Sequence, residues 1–282
     1  TPLYSSAASD VYKRQVSRDL EGVPHGIELG LVPIGFIIVR SFGRADPITL
    51  DIELVGTFDS YRALLSDAYR PVLIRSVSLS IATVAMCSII GIPCALALSR
   101  LTGRKRDLVL VAVILPSFIS FTVRMFAWQG LLATGGPIES VTGWQLLFRP
   151  PAVLLGMITA YVPLFVLPAY VALSRVSGDL MDAAADLGAR HGRQLRTITL
   201  PLAMPGIVTG AALVAVLSIG EFIVPAVLGG NKVLLLGNIL SERGAGRDQP
   251  LGGAITALML STFLLVGMFV LLYRRHAARR HA

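Results

Sequence analysis

Charged residues are scarce in this sequence. Only 15% of its 282 residues are Asp, Glu, Lys or Arg, whereas 54% are hydrophobic. The mean hydropathy is +0.71. Soluble domains ordinarily have about 25% charged residues, which cover their surface. The composition therefore excludes an ordinary soluble domain and indicates a protein that lies in a membrane.

Residues for metal, disulfide or nucleotide chemistry are also few. The two cysteines, Cys87 and Cys94, lie in one hydrophobic run, where a small residue facing lipid or another helix is the simplest interpretation. The four histidines lie in polar segments without metal-ligand spacing. No GxxxxGK[ST] pattern is present, so the chain has no phosphate-binding loop of that type. The sequence predicts no catalytic residue, no metal site and no cofactor.

Long hydrophobic runs, in contrast, recur along the chain. A helix needs about 20 apolar residues, at ~1.5 Å per residue, to cross a bilayer. We predict spans at residues 72–98, 108–128, 151–173, 206–228 and 251–273. A further run, 27–39, is apolar but short. The predicted fold class is all-α, a polytopic bundle of membrane helices.

The first 26 residues differ in character from the rest. They begin with TPLYSSAASDVYKRQ, which is polar and rich in Ser and Ala. No apolar run follows Lys13 and Arg14 directly, so the segment does not resemble a signal peptide. We expect residues 1–26 to be an atypical polar stretch, of native or non-native origin, and residues 27–282 to form the membrane domain.

Basic residues are distributed unequally between the loops. The segments 99–107, 174–205 and 274–282 contain twelve basic and four acidic residues. The alternate loops together contain seven basic and eight acidic residues: 42–70, 129–150 and 229–250. By the positive-inside rule the first set is cytoplasmic. The formal net charge of +8 is thus a topology signal, and no basic face of a nucleic-acid-binding domain is visible.

The cytoplasmic segment 182–201 reads DAAADLGARHGRQLRTITLP. We expect Asp182 in the first turn of a short helix, where a carboxylate opposes the positive end of the helix dipole. Three alanines would keep this helix thin, and Gly188 would end or bend it. A slim helix of this kind can press its backbone against another protein. An ordinary surface helix with a glycine cap is the alternative.

The same segment resembles the cytoplasmic loop of ABC importer permeases. That family's pattern is EAA, three residues, Gly, nine residues, Ile, one residue, Leu-Pro. The matching positions are Ala183, Ala184, Gly188, Ile198, Leu200 and Pro201. Asp182 stands where the family usually has Glu, which shortens the side chain by one methylene and keeps the charge. The resemblance implies a type I ABC importer transmembrane domain of about six spans, with an ATPase-coupling loop at 174–205. Because the family has a full first span where the short run 27–39 stands, the resemblance also implies a first span that is truncated or replaced here.

A second set of motifs resembles the spermidine/putrescine branch of these permeases. They are GEF-x-x-P, Leu-Gly-Gly, Gly-Asn and Pro-Leu-Gly, here at Gly220–Phe222 with Pro225, Leu228–Gly230, Gly237 with Asn238, and Pro250–Gly252. This resemblance implies a bacterial inner-membrane complex for uptake of a polyamine. Its implied partners are two ATP-binding cassette ATPase subunits, a second similar permease and a soluble solute-binding protein. Uptake of another small solute, such as an inorganic ion, and a structural membrane subunit without its own pathway remain alternatives.

Three charged residues lie within the predicted spans. A charge in the membrane interior commonly costs ~2.5 to 3.5 kcal/mol on insertion scales. Arg75 is near the outer end of its span and can extend to the interface. Arg124 and Glu221 lie 16 residues beyond Leu108 and 15 beyond Gly206, which in straight helices puts both ~23 to 24 Å from the cytoplasmic ends. We expect either a structural ion pair between them or a Glu221 that faces the solute pathway.

Helix-breaking residues occur in the same region. Gly220 and Pro225 flank the position of Glu221 and predict a bend or an unwound turn. The candidate pathway or gate residues are Glu221, Arg124 and Pro225. The apolar segment 233–240 is too short to cross the membrane and predicts an interfacial or re-entrant turn near the outer mouth.

Overall fold

Helices make up nearly all of the described structure. The computed structural model describes residues 34–45, 52–53, 56–243 and 249–279. The helices are α1 (34–40), α2 (Asp59–Leu64), α3 (Arg70–Arg100), α4 (Gly103–Phe118), α5 (Phe121–Leu132), α6 (Pro137–Thr142), α7 (Pro150–Leu173), α8 (Gly178–Asp186), α9 (His191–Gln194), α10 (Leu200–Ile219), α11 (Leu236–Arg243) and α12 (Gln249–Arg279). The strands β1 (Arg44–Ala45) and β2 (Ile52–Glu53) form a short antiparallel pair. The all-α prediction is confirmed, and the polar stretch 1–26 lies outside the described residues.

The chain divides into two compact units. One comprises Thr1–Ala63 with Arg243–Ala257, and the other Leu64–Glu242 with Leu258–Ala282. In the first unit a Cβ on Gly253 would lie 2.7 Å from the carbonyl oxygen of Ile37. The absence of a side chain at Gly253 therefore lets α12 approach α1 closely.

The core of the second unit is built from α3, α7 and α10. Gly206 and Gly210 are four residues apart on α10, and both face the α7 backbone. A Cβ on Gly206 would be 2.5 Å from the Pro168 oxygen, and one on Gly210 would be 2.8 Å from the Phe165 oxygen. A Cβ on Gly91 of α3 would be 2.3 Å from the Phe165 ring. Small residues at helix contacts are how membrane helices approach closely, because lipid gives little hydrophobic drive between them.

Three of the predicted spans match single long helices. The helices Arg70–Arg100, Pro150–Leu173 and Gln249–Tyr273 are each long and apolar enough to cross a bilayer. They correspond to the predicted spans 72–98, 151–173 and 251–273. Proline at the first or second position begins both α3 and α7, where its missing N–H would have no helical partner.

The other two predicted spans are wrong in detail. The prediction 206–228 extends too far, because the fourth apolar helix runs over His191–Ile219 and breaks at Gly220. The prediction 108–128 is not one straight helix: Gly103–Phe118 and Phe121–Thr142 meet at 91°. Pro116 lies just before this break and cannot donate a backbone hydrogen bond, and Ile119 is extended, with φ −75° and ψ 138°.

Candidate functional site

The segment 178–189 forms a short helix closed by a glycine. The N–H of Gly188 donates to the Ala185 oxygen at 2.8 Å, and the N–H of Ala189 donates to the Ala184 oxygen at 2.9 Å. Gly188 has φ +78°, a left-handed conformation that a side chain disfavours. This pair of bonds is a Schellman motif, so the expected helix stop at Gly188 is present.

The position expected for Asp182 is wrong. Helix α8 begins at Gly178, and its first turn contains Asp179 instead. Ser177 has extended backbone angles, φ −67° and ψ 144°, and lies just before the helix. Asp182 is therefore the fifth helical residue, where the dipole effect of the helix N-terminus has largely faded.

One face of α8 is open and the opposite face is held by the rest of the chain. Ala184 is buried, whereas Asp182 and Ala183 are exposed. Leu187 is 89% exposed, although it is a large hydrophobic residue. An open face of alanine, leucine and carboxylates is suited to contact another protein.

A buried glutamine that the sequence did not single out braces this helix. Gln194 is 6% exposed, and its Nε2 donates to the Met181 oxygen at 3.3 Å and the Ala189 oxygen at 2.9 Å. The hydroxyl of Thr199 also lies 3.5 Å from the Met181 sulfur. Sequence analysis missed Gln194 because no sequence pattern distinguishes a buried polar residue from the exposed polar residues around it. The hydrogen bonds of Gln194 join α8 to the start of the apolar helix His191–Ile219.

The Ile, Leu and Pro of the motif lie at the base of that apolar helix. Residues Leu195–Thr199 form one π-helical turn, and the N–H of Leu200 donates to the Leu195 oxygen. Pro201 follows directly and has no N–H to donate, so the wider turn forms where the regular pattern fails. Ile198 and Leu200 are half-buried, and Pro201 is exposed.

Glu221 lies in the break after α10 and is 7% exposed. Its Oε1 accepts hydrogen bonds from the N–H of Ile223 at 2.8 Å and of Val224 at 3.1 Å. Its Oε2 accepts a hydrogen bond from the Tyr161 hydroxyl of α7. The carboxyl group therefore caps the next helical turn and ties it to α7.

Two further motif residues, Pro225 and Gly237, affect the Glu221 carbonyl at this break. Pro225 begins the π-helical turn Pro225–Gly229 and is buried. Having no N–H, it cannot bond the Glu221 carbonyl four residues earlier. Gly237 packs against that carbonyl, since a Cβ on Gly237 would be 2.6 Å from the oxygen.

Asn238 and Ser76 hold the segment 232–238, which returns over the break at Glu221. Asn238 donates through Nδ2 to the Phe222 oxygen at 2.9 Å, and its Oδ1 accepts from the N–H of Leu235 at 3.1 Å. The Ser76 hydroxyl of α3 accepts from the N–H of Leu236 at 2.9 Å. The GEF-x-x-P and Gly-Asn motifs are thus the two sides of one packed turn.

Arg124 does not form the ion pair with Glu221. Its Nη1 donates to the Pro116 oxygen at 3.2 Å, and its guanidinium lies 5.5 Å from the Phe121 ring centroid. Its Nε is buried and without a partner among the described residues. The expectation that Arg124 and Glu221 lie at equal depth assumed straight helices. The 91° bend before Phe121 makes that assumption wrong for the helix of Arg124. Arg124 instead spans the bend.

Nothing in the described residues forms a metal centre, because no three His, Cys, Asp or Glu side chains are grouped suitably there. The arrangement consists of an exposed helix, hydrogen bonds that join this helix to the apolar helix His191–Ile219, and a capped break at the far end of that helix. A protein-contacting face at α8 is thus connected along one helix to the break at Gly220.

Comparisons with known proteins show the family of this chain. Residues 65–281 match the family model described as "Binding-protein-dependent transport system inner membrane component". The spermidine/putrescine transport system permease protein PotB of Salmonella typhimurium (strain SL1344) is 32% identical over 253 residues, which cover 86% of this chain and 87% of the relative. PotB of Escherichia coli (strain K12) is 31% identical over 253 residues, 86% of this chain and 90% of the relative.

A solved structure shows the same fold. The bacterial alginate ABC transporter, crystallised in complex with an alginate pentasaccharide-bound periplasmic protein, aligns with a TM-score of 0.64 over 99% of this chain and 98% of that chain, at 17% identity. The fold is that of type I ABC importer transmembrane domains, and the role of the matched family is transport rather than catalysis. The chain is a multi-pass inner-membrane protein and belongs to the family of inner membrane components of binding-protein-dependent transport systems.

Proposed function

We propose that this chain is the permease subunit of an ATP-driven importer of polyamines, spermidine or putrescine. The observation that supports the choice of substrate is the sequence identity. It is 31–32% over 86% of the chain with permeases named for these solutes. The end of α10 at the break before Glu221 also supports a cationic solute. Helix α10 ends at Ile219, and the C-terminal carbonyls of a helix carry partial negative charge.

In this proposal, ATP hydrolysis drives the permease through contacts at α8. The exposed face around Ala183 and Leu187 docks an ATP-binding cassette subunit on the cytoplasmic side, and Gln194 makes the docked helix move with the helix that begins at His191. A second, similar permease completes the pathway, and a soluble binding protein delivers the solute to the outer face. Motion of the helix then reaches the turn at Glu221, which is the gate in this proposal.

The capped geometry refines the role of Glu221. Each carboxyl oxygen already accepts hydrogen bonds, from Ile223 and Val224 on one side and from Tyr161 on the other. Its first task is thus to hold the gate turn in shape. A cation in the pathway meets the negative end of α10 together with this partly satisfied carboxyl group.

The coupling experiment compares two substitutions at Gly188. Both Gly188→Ala and Gly188→Trp place a side chain at φ +78°, which costs roughly 1–2 kcal/mol. A Cβ there meets nothing within 4 Å and Gly188 is exposed, so neither side chain begins against an atom of the chain itself. We expect Ala to retain most uptake and Trp to abolish it while the protein still inserts, because only the indole obstructs the ATPase.

The readouts are ATP-dependent uptake in proteoliposomes and co-purification of the ATPase. Uptake by Gly188→Trp equal to that of Gly188→Ala would show that α8 is not the docking element. If α8 docks the ATPase, the tryptophan variant should also lose the ATPase in pull-downs.

The substrate experiment uses the same complex with its own binding protein. Radiolabelled spermidine and putrescine should be taken up and should stimulate ATP hydrolysis. Stimulation by an inorganic oxyanion in place of both amines would replace the polyamine proposal and would favour Arg124 as the solute-facing charge. No stimulation by any loaded binding protein would point to a structural subunit.

A further inference from the structure

A cavity of about 610 Å³ lies beside the first turns of α3. Three charged side chains line it, Asp67, Arg70 and Arg75. Ile74 and Leu79 form part of its apolar wall. In a chain with only 15% charged residues, three charges of both signs in one membrane-proximal cavity are a distinctive feature.

These charges do not neutralise one another. Within the described residues no ion pair joins Asp67 to either arginine, and the one ion pair recorded there is Arg106 with Asp107, far along the chain. Arg75 donates through Nη1 to the Lys232 oxygen at 3.4 Å, a long bond that leaves its other N–H groups available. The cavity therefore offers guanidinium donors and a carboxylate acceptor to a ligand.

The cavity changes from polar to apolar along the helix. Arg75 lies ~7 to 8 Å deeper than Arg70 along α3, and Leu79 lies ~13 to 14 Å deeper, at ~1.5 Å per residue. The headgroup layer on each side of a bilayer is only ~5 to 8 Å thick. Ile74 is 56% exposed in the chain. With Arg70, at the start of α3, placed at the headgroup level, the cavity extends into the start of the hydrocarbon and has the same polarity order as a phospholipid.

We propose that this cavity binds a zwitterionic phospholipid whose headgroup carries a primary ammonium. The phosphate contacts Arg70 and Arg75, because guanidinium groups bind phosphate through charge-assisted hydrogen bonds. The ammonium contacts Asp67, and the glycerol and first methylenes pack on Ile74 and Leu79. An anionic headgroup without an amine leaves Asp67 beside a phosphate, and a soluble amine meets two arginines. This site is independent of the transported solute.

The position of the site connects it to the gate turn. Arg75 contacts the backbone at Lys232, and the next residue, Ser76, accepts from the N–H of Leu236. Those two backbone groups belong to the segment that returns over the break at Glu221. A phosphate on Arg75 fixes the guanidinium at this junction, so lipid occupancy should affect uptake as well as binding.

Native mass spectrometry of the purified complete importer tests the site. Three lipids are titrated separately: phosphatidylethanolamine, phosphatidylcholine, whose ammonium has no N–H, and phosphatidylglycerol, which has no ammonium. The wild type should retain phosphatidylethanolamine best. Arg70→Gln combined with Arg75→Gln should weaken retention of all three by at least about tenfold, the size expected for lost charge-assisted bonds.

Asp67→Asn should act differently from the arginine changes. It should remove the preference for phosphatidylethanolamine over phosphatidylglycerol while leaving total lipid retention within about twofold, since the phosphate contacts remain. Arg62→Gln, which changes an exposed arginine outside the cavity lining, is the matched control and should match wild type. Equal retention of phosphatidylethanolamine by all variants would overturn the proposal.

Two further measurements separate other occupants from a lipid. Inorganic phosphate at millimolar concentration should not displace bound phosphatidylethanolamine; displacement would assign the cavity to a free anion. The affinity of the soluble binding protein should be unchanged in the arginine double variant. A loss of that affinity with unchanged lipid retention would make this cavity a protein-docking surface and refute the lipid assignment.

Discussion

Removing the carboxyl group of Glu221 should destabilise the turn that follows α10, mainly by leaving the Tyr161 hydroxyl without a partner. In Glu221→Ala the N–H groups of Ile223 and Val224 lose their cap, and the hydroxyl of Tyr161 on α7 loses its acceptor. Glu221 and Tyr161 are 7% and 6% exposed, so in the folded chain little water can replace these contacts.

The size of the effect follows from these contacts. Loss of a helix cap costs about 0.5–2 kcal/mol. Leaving a buried hydroxyl without a partner costs about 1–3 kcal/mol. The Leu217 oxygen, 3.5 Å from the same hydroxyl, can recover a part of that loss. We therefore expect Glu221→Ala to lower the free energy of unfolding by about 2–4 kcal/mol.

Two companion variants resolve the contributions. Glu221→Gln keeps an oxygen for the two N–H groups and an amide for Tyr161, so it should cost less than about 1 kcal/mol. Adding Tyr161→Phe to Glu221→Ala removes the stranded hydroxyl and should recover about 1–2 kcal/mol.

The assay is unfolding of the purified protein in mixed micelles, followed by tryptophan fluorescence and repeated at several detergent ratios. Arg124→Gln in the Glu221→Gln background is the control for an ion pair, and it should give no rescue because Arg124 contacts Pro116 instead. Rescue by Arg124→Gln, or a Glu221→Ala effect that is unchanged by Tyr161→Phe, would refute the capping argument.

Gly210→Ala should lower stability by about 1–3 kcal/mol through overpacking, since its Cβ would lie 2.8 Å from an α7 backbone oxygen; Gly130→Ala, with nothing within 4 Å, is the matched control, and equal melting temperatures would contradict the close helix contact. Single cysteines at Arg104 and Arg193 should be protected from an impermeant thiol reagent in intact cells, and one at Lys232 should be labelled, in a background without the two native cysteines. Labelling at 193 without permeabilisation would invert the topology.

Local features of the chain were sufficient for several conclusions. Hydropathy sums over a window, so it located α3, α7 and α12 without knowledge of their neighbours. The spacing of Ala183, Gly188 and Pro201 indicated the family, because it corresponds to a local structure: a thin helix, a glycine stop and the start of the next helix. The glycine stop was likewise predictable, since a left-handed residue at a helix end favours Gly.

The tertiary structure decided the directions and partners that a linear pattern does not contain. A hydropathy window cannot register the 91° turn after Phe118, so equal distance along the chain did not mean equal depth for Arg124 and Glu221. The real partner of Glu221, Tyr161, is 60 residues away in sequence, and the contact of Gly206 with the Pro168 backbone exists only because two helices cross there. The sequence by itself determined what each segment is, through transfer free energy and local backbone preference. Which charges and glycines meet depends on helix packing, since hydrogen bonds and steric contacts act over a few ångströms in space and not along the chain.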